Sequence, residues 1–269
     1  MAPPSRRVVA VVAQKGGVGK TTTTVHLAAV LARRGLRVVV VDLDPQGAAT
    51  ALLAPAEVPA TGAAEVLLDG AAVVDVAVPT PSGVDLVAAT DAMARAELAL
   101  AGEVGREGFL RGALEAVPAD RWDLVLLDCP PSLGLLTVNA LCAAGWTLTP
   151  VLPALLSLAS VRQLEDTVAT VRQRINRGLR PLGYVLTAVD GRERLAAEAR
   201  DTLRKHAGDL LWRAEVRVSA DLKAALAGNL RGRAREDFDA LAVELVRRLG
   251  LRLPAVGEDK RQAGLFDGE

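Results

Sequence analysis

A short apolar run, Arg7–Ala13, passes directly into Gln14-Lys15-Gly16-Gly17-Val18-Gly19-Lys20-Thr21-Thr22, and this loop leads into a segment with helical apolar spacing at Val25, Ala28, Ala29 and Ala32. Few folds accommodate that order. A glycine loop between a strand and a helix N-terminus lets several main-chain N–H groups curl round one anion, and the helix end adds partial positive charge. In this context Lys20 is placed to reach the β- and γ-phosphates of a nucleotide, and the Thr21 hydroxyl to ligate Mg²⁺. The bland alternative is a glycine-rich turn that holds nothing. Lysine usage argues against it: the chain has five lysines, Lys15, Lys20, Lys205, Lys223 and Lys260, and two of them lie in this loop. In a chain that otherwise uses arginine, that placement reads as a need for a compact ammonium. Gln14 stands where the ordinary pattern has glycine, and Lys15 follows it.

Beyond the loop, apolar runs alternate with helical periodicity, the sequence form of a parallel sheet covered by helices. Strands are expected at Arg7–Ala13, Arg37–Asp42, Val84–Ala88, Asp123–Asp128, Gly145–Val151 and Leu182–Val189, with a weaker one at Leu210–Val216. Helices are expected at Lys20–Arg34, Met93–Ala116, Gly134–Ala144, Ser157–Arg177, Arg194–His206, Ala220–Ala227 and Arg235–Leu249. Residues 61–78 fit either. Ala54–Pro59 and Pro79–Gly83 read as surface loops. The fold class that follows is α/β: a doubly wound, mostly parallel sheet in one domain, 7–252, with a short tail at 1–6 and a disordered polar tail at 253–269.

The chain has 269 residues, 51% of them hydrophobic, enough for a substantial core. Its apolar runs fall short of the roughly 18–20 residues that a membrane span needs, and Met1–Arg7 lacks the apolar stretch of a signal peptide, so a soluble, cytoplasmic protein is expected. Two cysteines, Cys129 and Cys142, make no disulfide framework. Formal charge is zero, but residues 160–252 hold 19 Lys/Arg against 13 Asp/Glu, a net of +6. Any polyanion contact therefore belongs to the C-terminal half.

Two further strands end in aspartate. The second closes as Val41-Asp42-Leu43-Asp44-Pro45-Gln46-Gly47 and the fourth as Leu126-Leu127-Asp128-Cys129-Pro130-Pro131. The carboxyl ends of parallel strands line the ligand crevice, so Asp42, Asp44 and Asp128 emerge beside the loop. Each alone could merely cap a turn. Together with Thr21 they form the expected magnesium set, and an apolar strand closed by Asp128 is the Walker B arrangement. Asp44 is assigned the alignment of the attacking water; Asp42, nearer the strand, suits the magnesium shell or structural support.

These residues resemble the ParA/Soj family of partition ATPases, within the wider group with a deviant Walker A loop that includes MinD. The resemblance rests on Lys15–Thr22, on Val41–Gly47 and on Asp128-Cys129-Pro130-Pro131-Ser132-Leu133-Gly134 with Asn139 following. It continues more loosely through Leu186-Thr187 to Arg217-Val218-Ser219. It implies nucleotide contact along Lys15, Gly16, Gly17, Val18, Gly19, Lys20, Thr21 and Thr22, with ATP or ADP and Mg²⁺ as cofactors. It implies catalytic roles for Lys15, Lys20 and Asp44, with Lys15 reaching across to a partner's phosphates so that ATP closes a homodimer. The dimer would bind double-stranded DNA without sequence preference, and a ParB-like protein would stimulate slow hydrolysis and release it. The protein would then be cytoplasmic and nucleoid-associated. Arg192 and Arg217 resemble the family's DNA-contacting arginines, and each alone also reads as a solvated charge. Arg231, Arg233 and Arg235 either extend that patch or simply lead into the last helix.

The chain departs from the family in two places. Arg213-Ala214-Glu215 replaces a common Pro-Arg-Asn, so no adenine contact of that segment is carried over from the resemblance, and Pro153-Ala154-Leu155-Leu156-Ser157 replaces a more polar stretch. His26 has no nucleophile beside it and reads as a packing or hydrogen-bonding residue. A MinD-like membrane switch would need a basic amphipathic C-terminal helix, and this chain ends in Leu265-Phe266-Asp267-Gly268-Glu269. A tyrosine kinase of the superfamily would want a tyrosine-rich tail, and Tyr184 is the only tyrosine. Metal or cluster carriers would need paired cysteines at a spacing that Cys129 and Cys142 lack. A nucleotide-loaded scaffold with little turnover is the remaining alternative.

Overall fold

The computed structural model describes residues 7–53, 57, 59–154, 157–190, 194–224, 227 and 229–253. In chain order the elements are β1 (Arg7–Val11), α1 (Lys20–Arg33), β2 (Val38–Asp42), α2 (Ala48–Leu53), α3 (Ala63–Leu68), α4 (Val73–Val76), β3 (Val78–Pro79), β4 (Asp85–Val87), α5 (Met93–Leu100), α6 (Phe109–Glu115), β5 (Leu124–Asp128), α7 (Leu135–Ala143), β6 (Trp146–Val151), α8 (Ser157–Arg174), β7 (Arg180–Leu186), α9 (Arg194–Ala207), α10 (Ala220–Ala224) and α11 (Gly232–Leu249). The strands form one sheet in the order β3-β4-β2-β5-β1-β6-β7. Every pairing is parallel except β3 with β4.

Alternation explains the near-continuous valine and leucine of the central strands. Val9, Val11, Val38, Val40, Leu124 and Leu126 point into one apolar layer, which they share with α1 and α11. Ala10, Val39, Val41, Val125 and Leu127 point into the opposite layer, formed with the helices of residues 63–143. Both faces are covered, so a strand with a polar alternate would leave a side chain without water. Each fully buried Val or Leu contributes roughly 1.5–3 kcal/mol by leaving water.

Chain direction reverses around β1. From β1 the chain moves to β2 on one side, and it later reaches β6 on the other. The carboxyl end of β1 is thus a topological switch point, where open α/β sheets hold ligands. The glycine loop starts there.

The long helix expected over Met93–Ala116 is broken into α5, a single 3₁₀ turn at Arg106–Gly108, and α6. Gly102, Gly105 and Gly108 lower helical propensity by about 1 kcal/mol each relative to alanine, and Gly105 adopts a φ of 71°. Asn139 of α7 closes the gap: its Nδ2 donates to the Arg106 carbonyl and its Oδ1 accepts from Leu110 N.

The weaker strand expected at Leu210–Val216 does not form. Two isolated bridges, Tyr184 with Leu211 and Val189 with Arg217, stand in its place. The Glu244 carboxylate of α11 accepts the N–H groups of Arg213 and Ala214, which diverts the segment from the sheet edge. Trp212 crosses over Gly183, where a Cβ would lie 2.5 Å from the indole nitrogen. A two-residue strand at Val78–Pro79 falls between the segments expected as ambiguous and as loop.

Candidate nucleotide site

The loop opens α1. Gly17 and Gly19 hold φ values of 73° and 85°, the left-handed region that glycine enters without a Cβ penalty. A Cβ at Gly16 or Gly17 would meet nothing within 4 Å, whereas one at Gly19 would lie 3.7 Å from the Thr187 methyl. The rim of the loop is open and its base is packed.

The two lysines separate. Lys20 is 6% exposed, with its Nζ 3.5 Å from the Lys15 carbonyl oxygen; Lys15 is exposed. Burial pulls the Lys20 pKa down, opposed by the charges of Asp128 and Asp44. Val18 is buried, and Thr21 and Thr22 are partly exposed at the helix start.

Asp128 lies at the centre. It is fully buried and accepts from Thr21 Oγ1 at 2.7 Å on Oδ2. Thr24 Oγ1 lies 2.9 Å from both Asp128 Oδ1 and the Lys20 carbonyl, so its single hydrogen is shared. Burial, then Asp42, push the Asp128 carboxyl up to about 7 against those bonds and the Lys20 ammonium. Cys129, next along, is buried and free, and burial pushes its thiol well above the ordinary range. Cys142 is also buried and free.

Asp42 sits opposite Asp128 in the β2–β5 register, and burial raises its carboxyl to about 6. Its Oδ1 accepts from Asp44 N, and its Oδ2 accepts from both the backbone N–H and the hydroxyl of Thr50 at 2.8 Å. Thr50 in turn accepts from Ala89 N. Both oxygens of Asp42 are therefore occupied in tying β2 to α2 and to the end of β4. Asp44 is 8% exposed, and its Oδ1 accepts from Gln46 N in a tight turn.

Among the described residues, no group of three or more His, Cys, Asp or Glu is placed to hold a metal. The donor set still suits Mg²⁺, an oxygen-seeking ion bound through one or two protein groups plus phosphates and waters. Thr21 and Asp128 offer oxygens 2.7 Å apart at the start of α1, with the buried Asp42 carboxyl on the neighbouring strand.

Of the two arginines expected to meet DNA, Arg192 lies outside the described residues. Arg217 is committed: its Nε donates to Asp237 Oδ1 at 2.8 Å, its backbone N–H donates to Oδ2, and Glu236 sits 3.5 Å away. Arg231, Arg233 and Arg235 at the start of α11 are exposed. The Arg213–Glu215 segment is held from both sides, by Glu244 and by a bidentate bond from Arg200 to Glu215. Leu155 and Leu156 lie outside the described residues. His26 packs tilted against Phe238 at 5.3 Å, with Nδ1 buried and without a partner.

Sequence reasoning passed over Thr24 and Thr50, which hold the two buried carboxylates. The signal for Thr24 was its spacing: in the run Thr21-Thr22-Thr23-Thr24 the first and last share one helix face. Nothing local marks Thr50.

A parallel sheet reversing at a glycine loop, with a buried loop lysine and a strand-end aspartate bonded to the loop threonine, defines a P-loop ATPase fold. A family model described as an AAA domain matches residues 6–180. The chain is 38% identical over 221 residues to the sporulation initiation inhibitor protein Soj of Bacillus subtilis, covering 81% of this chain and 87% of that protein. It is 43% identical over 212 residues to the chromosome-partitioning ATPase Soj of Thermus thermophilus, covering 77% and 79%. A crystal structure named cobyrinic acid a,c-diamide synthase from Mycobacterium smegmatis, with bound ADP and magnesium, is 34% identical and superposes with a TM-score of 0.77 over 93% of this chain and 98% of that one. The chain belongs to the ParA/Soj family of partition ATPases.

Proposed function

We propose that the protein is an ATP-dependent segregation switch whose nucleotide state controls retention on DNA. The observation that carries this reading is the division of labour between two lysines five residues apart, one buried against Asp128 and Asp44 and one exposed at the rim of the same loop. Lys20 and the N–H groups of Gly16–Thr22 would neutralise the triphosphate from within the chain. Lys15 is free to contribute from outside it, so that two protomers meeting face to face would each supply a second ammonium, comparable to an arginine finger in trans.

Thr21 and Asp128 would hold Mg²⁺, which when bound offsets charge on the β- and γ-phosphates. Asp42 would keep β2, α2 and β4 in register behind them, and Asp44 would orient the attacking water in line with the γ-phosphate. Hydrolysis would be slow until a ParB-like partner completes the site. Exposed Arg231, Arg233 and Arg235, with Arg192, would supply the non-specific DNA contacts, and Arg217, held on Asp237, would brace the start of α11 beneath them.

Co-sedimentation with DNA and with anionic liposomes, each with ATP, ADP or no nucleotide, tests the reading. The expected result is ATP-dependent retention on DNA that weakens steeply with salt, by about 0.9 log units per log of salt for each phosphate contact. Retention on liposomes in place of DNA would overturn it in favour of a membrane switch, and DNA retention indifferent to nucleotide would leave only a scaffold.

A further inference from the structure

The end of β7 is irregular in a way that the nucleotide site does not explain. Val216 N donates to the Leu186 carbonyl at 2.8 Å, and the Val216 carbonyl accepts from Val189 N at 3.0 Å. In a regular parallel ladder those two partners are two residues apart; here they are three, so one extra residue bulges from the strand. The bulge contains Thr187 and Ala188. Ala188 has a φ of 50°, the only non-glycine among the described residues in the left-handed region. Strained conformations of this kind persist where surrounding contacts over-determine them.

Thr187 connects that bulge to the phosphate loop. Its Oγ1 lies 2.8 Å from the Val18 carbonyl and 3.3 Å from that of Val151, its N–H donates to Val151 at 2.9 Å, and its methyl forms the floor under Gly19. The Val18 carbonyl and the Gly19 N–H belong to one planar trans peptide and point in opposite directions. Thr187 therefore grips the back of the peptide whose front is offered to a phosphate. A phosphate that draws on the Gly19 N–H turns the Val18 carbonyl with it.

Past the bulge, Val189 pairs with Arg217, and Val218 N donates to the Val189 carbonyl at 3.1 Å. Arg217 is in turn clamped on Asp237 of α11, the helix whose first turn carries the exposed arginines. One hydroxyl thus joins the anion-binding peptide to the frame of the basic half through a single kinked residue.

We propose that Thr187 is a positioning residue that aligns the Val18–Gly19 peptide for phosphate and, through the Ala188 bulge, transmits the occupancy of the loop to the 216–218 segment and α11. The inference rests on the reading of the loop as a nucleotide site. Hydrogen exchange of the full chain, with and without Mg²⁺ and ATP or ADP, tests it when paired with calorimetry of nucleotide binding. In the wild type, nucleotide should slow exchange at the amides of Val189, Val216 and Val218. Thr187→Val keeps the shape and loses the donor; it should bind nucleotide about five-fold more weakly, as for one hydrogen bond, and show no such slowing even at saturation. Thr187→Ser should restore both. Ala188→Gly keeps every bond named above while freeing the bulge; it should bind nucleotide like the wild type with the slowing at least halved, and it carries the test if Thr187→Val does not fold. Full slowing in either Thr187→Val or Ala188→Gly at saturation overturns the inference, as does a wild type that binds nucleotide without any response at 216–218. A wild type that binds no nucleotide by calorimetry defeats the site reading itself, and the inference with it.

Discussion

Asp42 and Asp128 end neighbouring strands at the same level of the sheet, both without solvent exposure, and are satisfied from opposite directions. Asp42 is bonded by Thr50 at the start of α2, and Asp128 by Thr21 and Thr24 at the start of α1. Two carboxyls share one buried layer; burial raises the pKa of both, Asp42 adds to the rise of Asp128, and Asp44 adds to that of Asp42.

This pair carries a pH signature. A carboxyl whose folded pKa exceeds its unfolded one stabilises the fold below the unfolded value, and that stability is lost as pH rises through the folded value. For these groups the window runs from 3.8 to about 6 and about 7. Asp128→Asn should gain stability relative to the wild type as pH rises across that window. Thermal unfolding without nucleotide checks it; a difference that stays constant with pH would count against the raised carboxyls.

His26 has the opposite sign. Burial, and secondarily the Arg33 charge, lowers its pKa to about 4, so the folded state keeps the ring neutral while the unfolded chain takes up a proton below about 6.5. Stability is lost as pH falls from 6.5 towards 4, by about 3 kcal/mol in total. His26→Leu should remove that loss, so its unfolding free energy should improve relative to the wild type between pH 7 and pH 4 in urea titrations.

Asp44→Asn retains an acceptor for the Gln46 N–H and removes the negative charge. Nucleotide affinity should stay within about three-fold by calorimetry, while turnover falls by about 10²–10⁴, the usual contribution of a positioned acid or base. Normal turnover would remove Asp44 from the hydrolytic role.

Lys20→Ala and Lys15→Ala should part company. The first takes the buried ammonium from beside Asp128 and should abolish measurable nucleotide binding. The second should leave monomer binding within a few-fold and prevent ATP-dependent dimerisation in sedimentation velocity. Equal dimerisation of Lys15→Ala and the wild type would show that the exposed lysine does not cross the interface.

Arg217 and the arginines of the α11 start should also differ. Arg217→Ala keeps the backbone bond to Asp237 Oδ2 but removes the guanidinium from Oδ1 of a side chain only 5% exposed, and should cost about 1–3 kcal/mol of stability. Arg231→Ala and Arg233→Ala should leave the melting temperature unchanged and each lower the salt slope of DNA retention by about one. Unaltered slopes would place the DNA surface elsewhere.

Much of this was legible locally. The β1–loop–α1 unit is contiguous in sequence, so a single stretch of residues specifies both its geometry and its charge. The strands β2 and β5 announce themselves because burial on both faces demands unbroken Val and Leu. Where a distant side chain intervened, local patterning misled. Leu210–Val216 has strand character, yet Glu244, thirty residues away in the chain, takes its N–H groups. Met93–Ala116 has helical spacing, yet glycines break it and Asn139 bridges the break. Arg217 reads as a free surface cation until Asp237 is seen beneath it.

The amino-acid sequence by itself determined the class of chemistry: glycines that permit the loop, lysines within it, and aspartates at the ends of apolar strands, all encoded by neighbours along the chain. Only the tertiary structure decided which lysine is buried, which threonines hold Asp42 and Asp128, and that Thr187 grips the loop from 169 residues away. The physical reason is that propensity and periodicity act over a few residues, whereas hydrogen-bond saturation and burial depend on groups that meet only once the sheet is assembled.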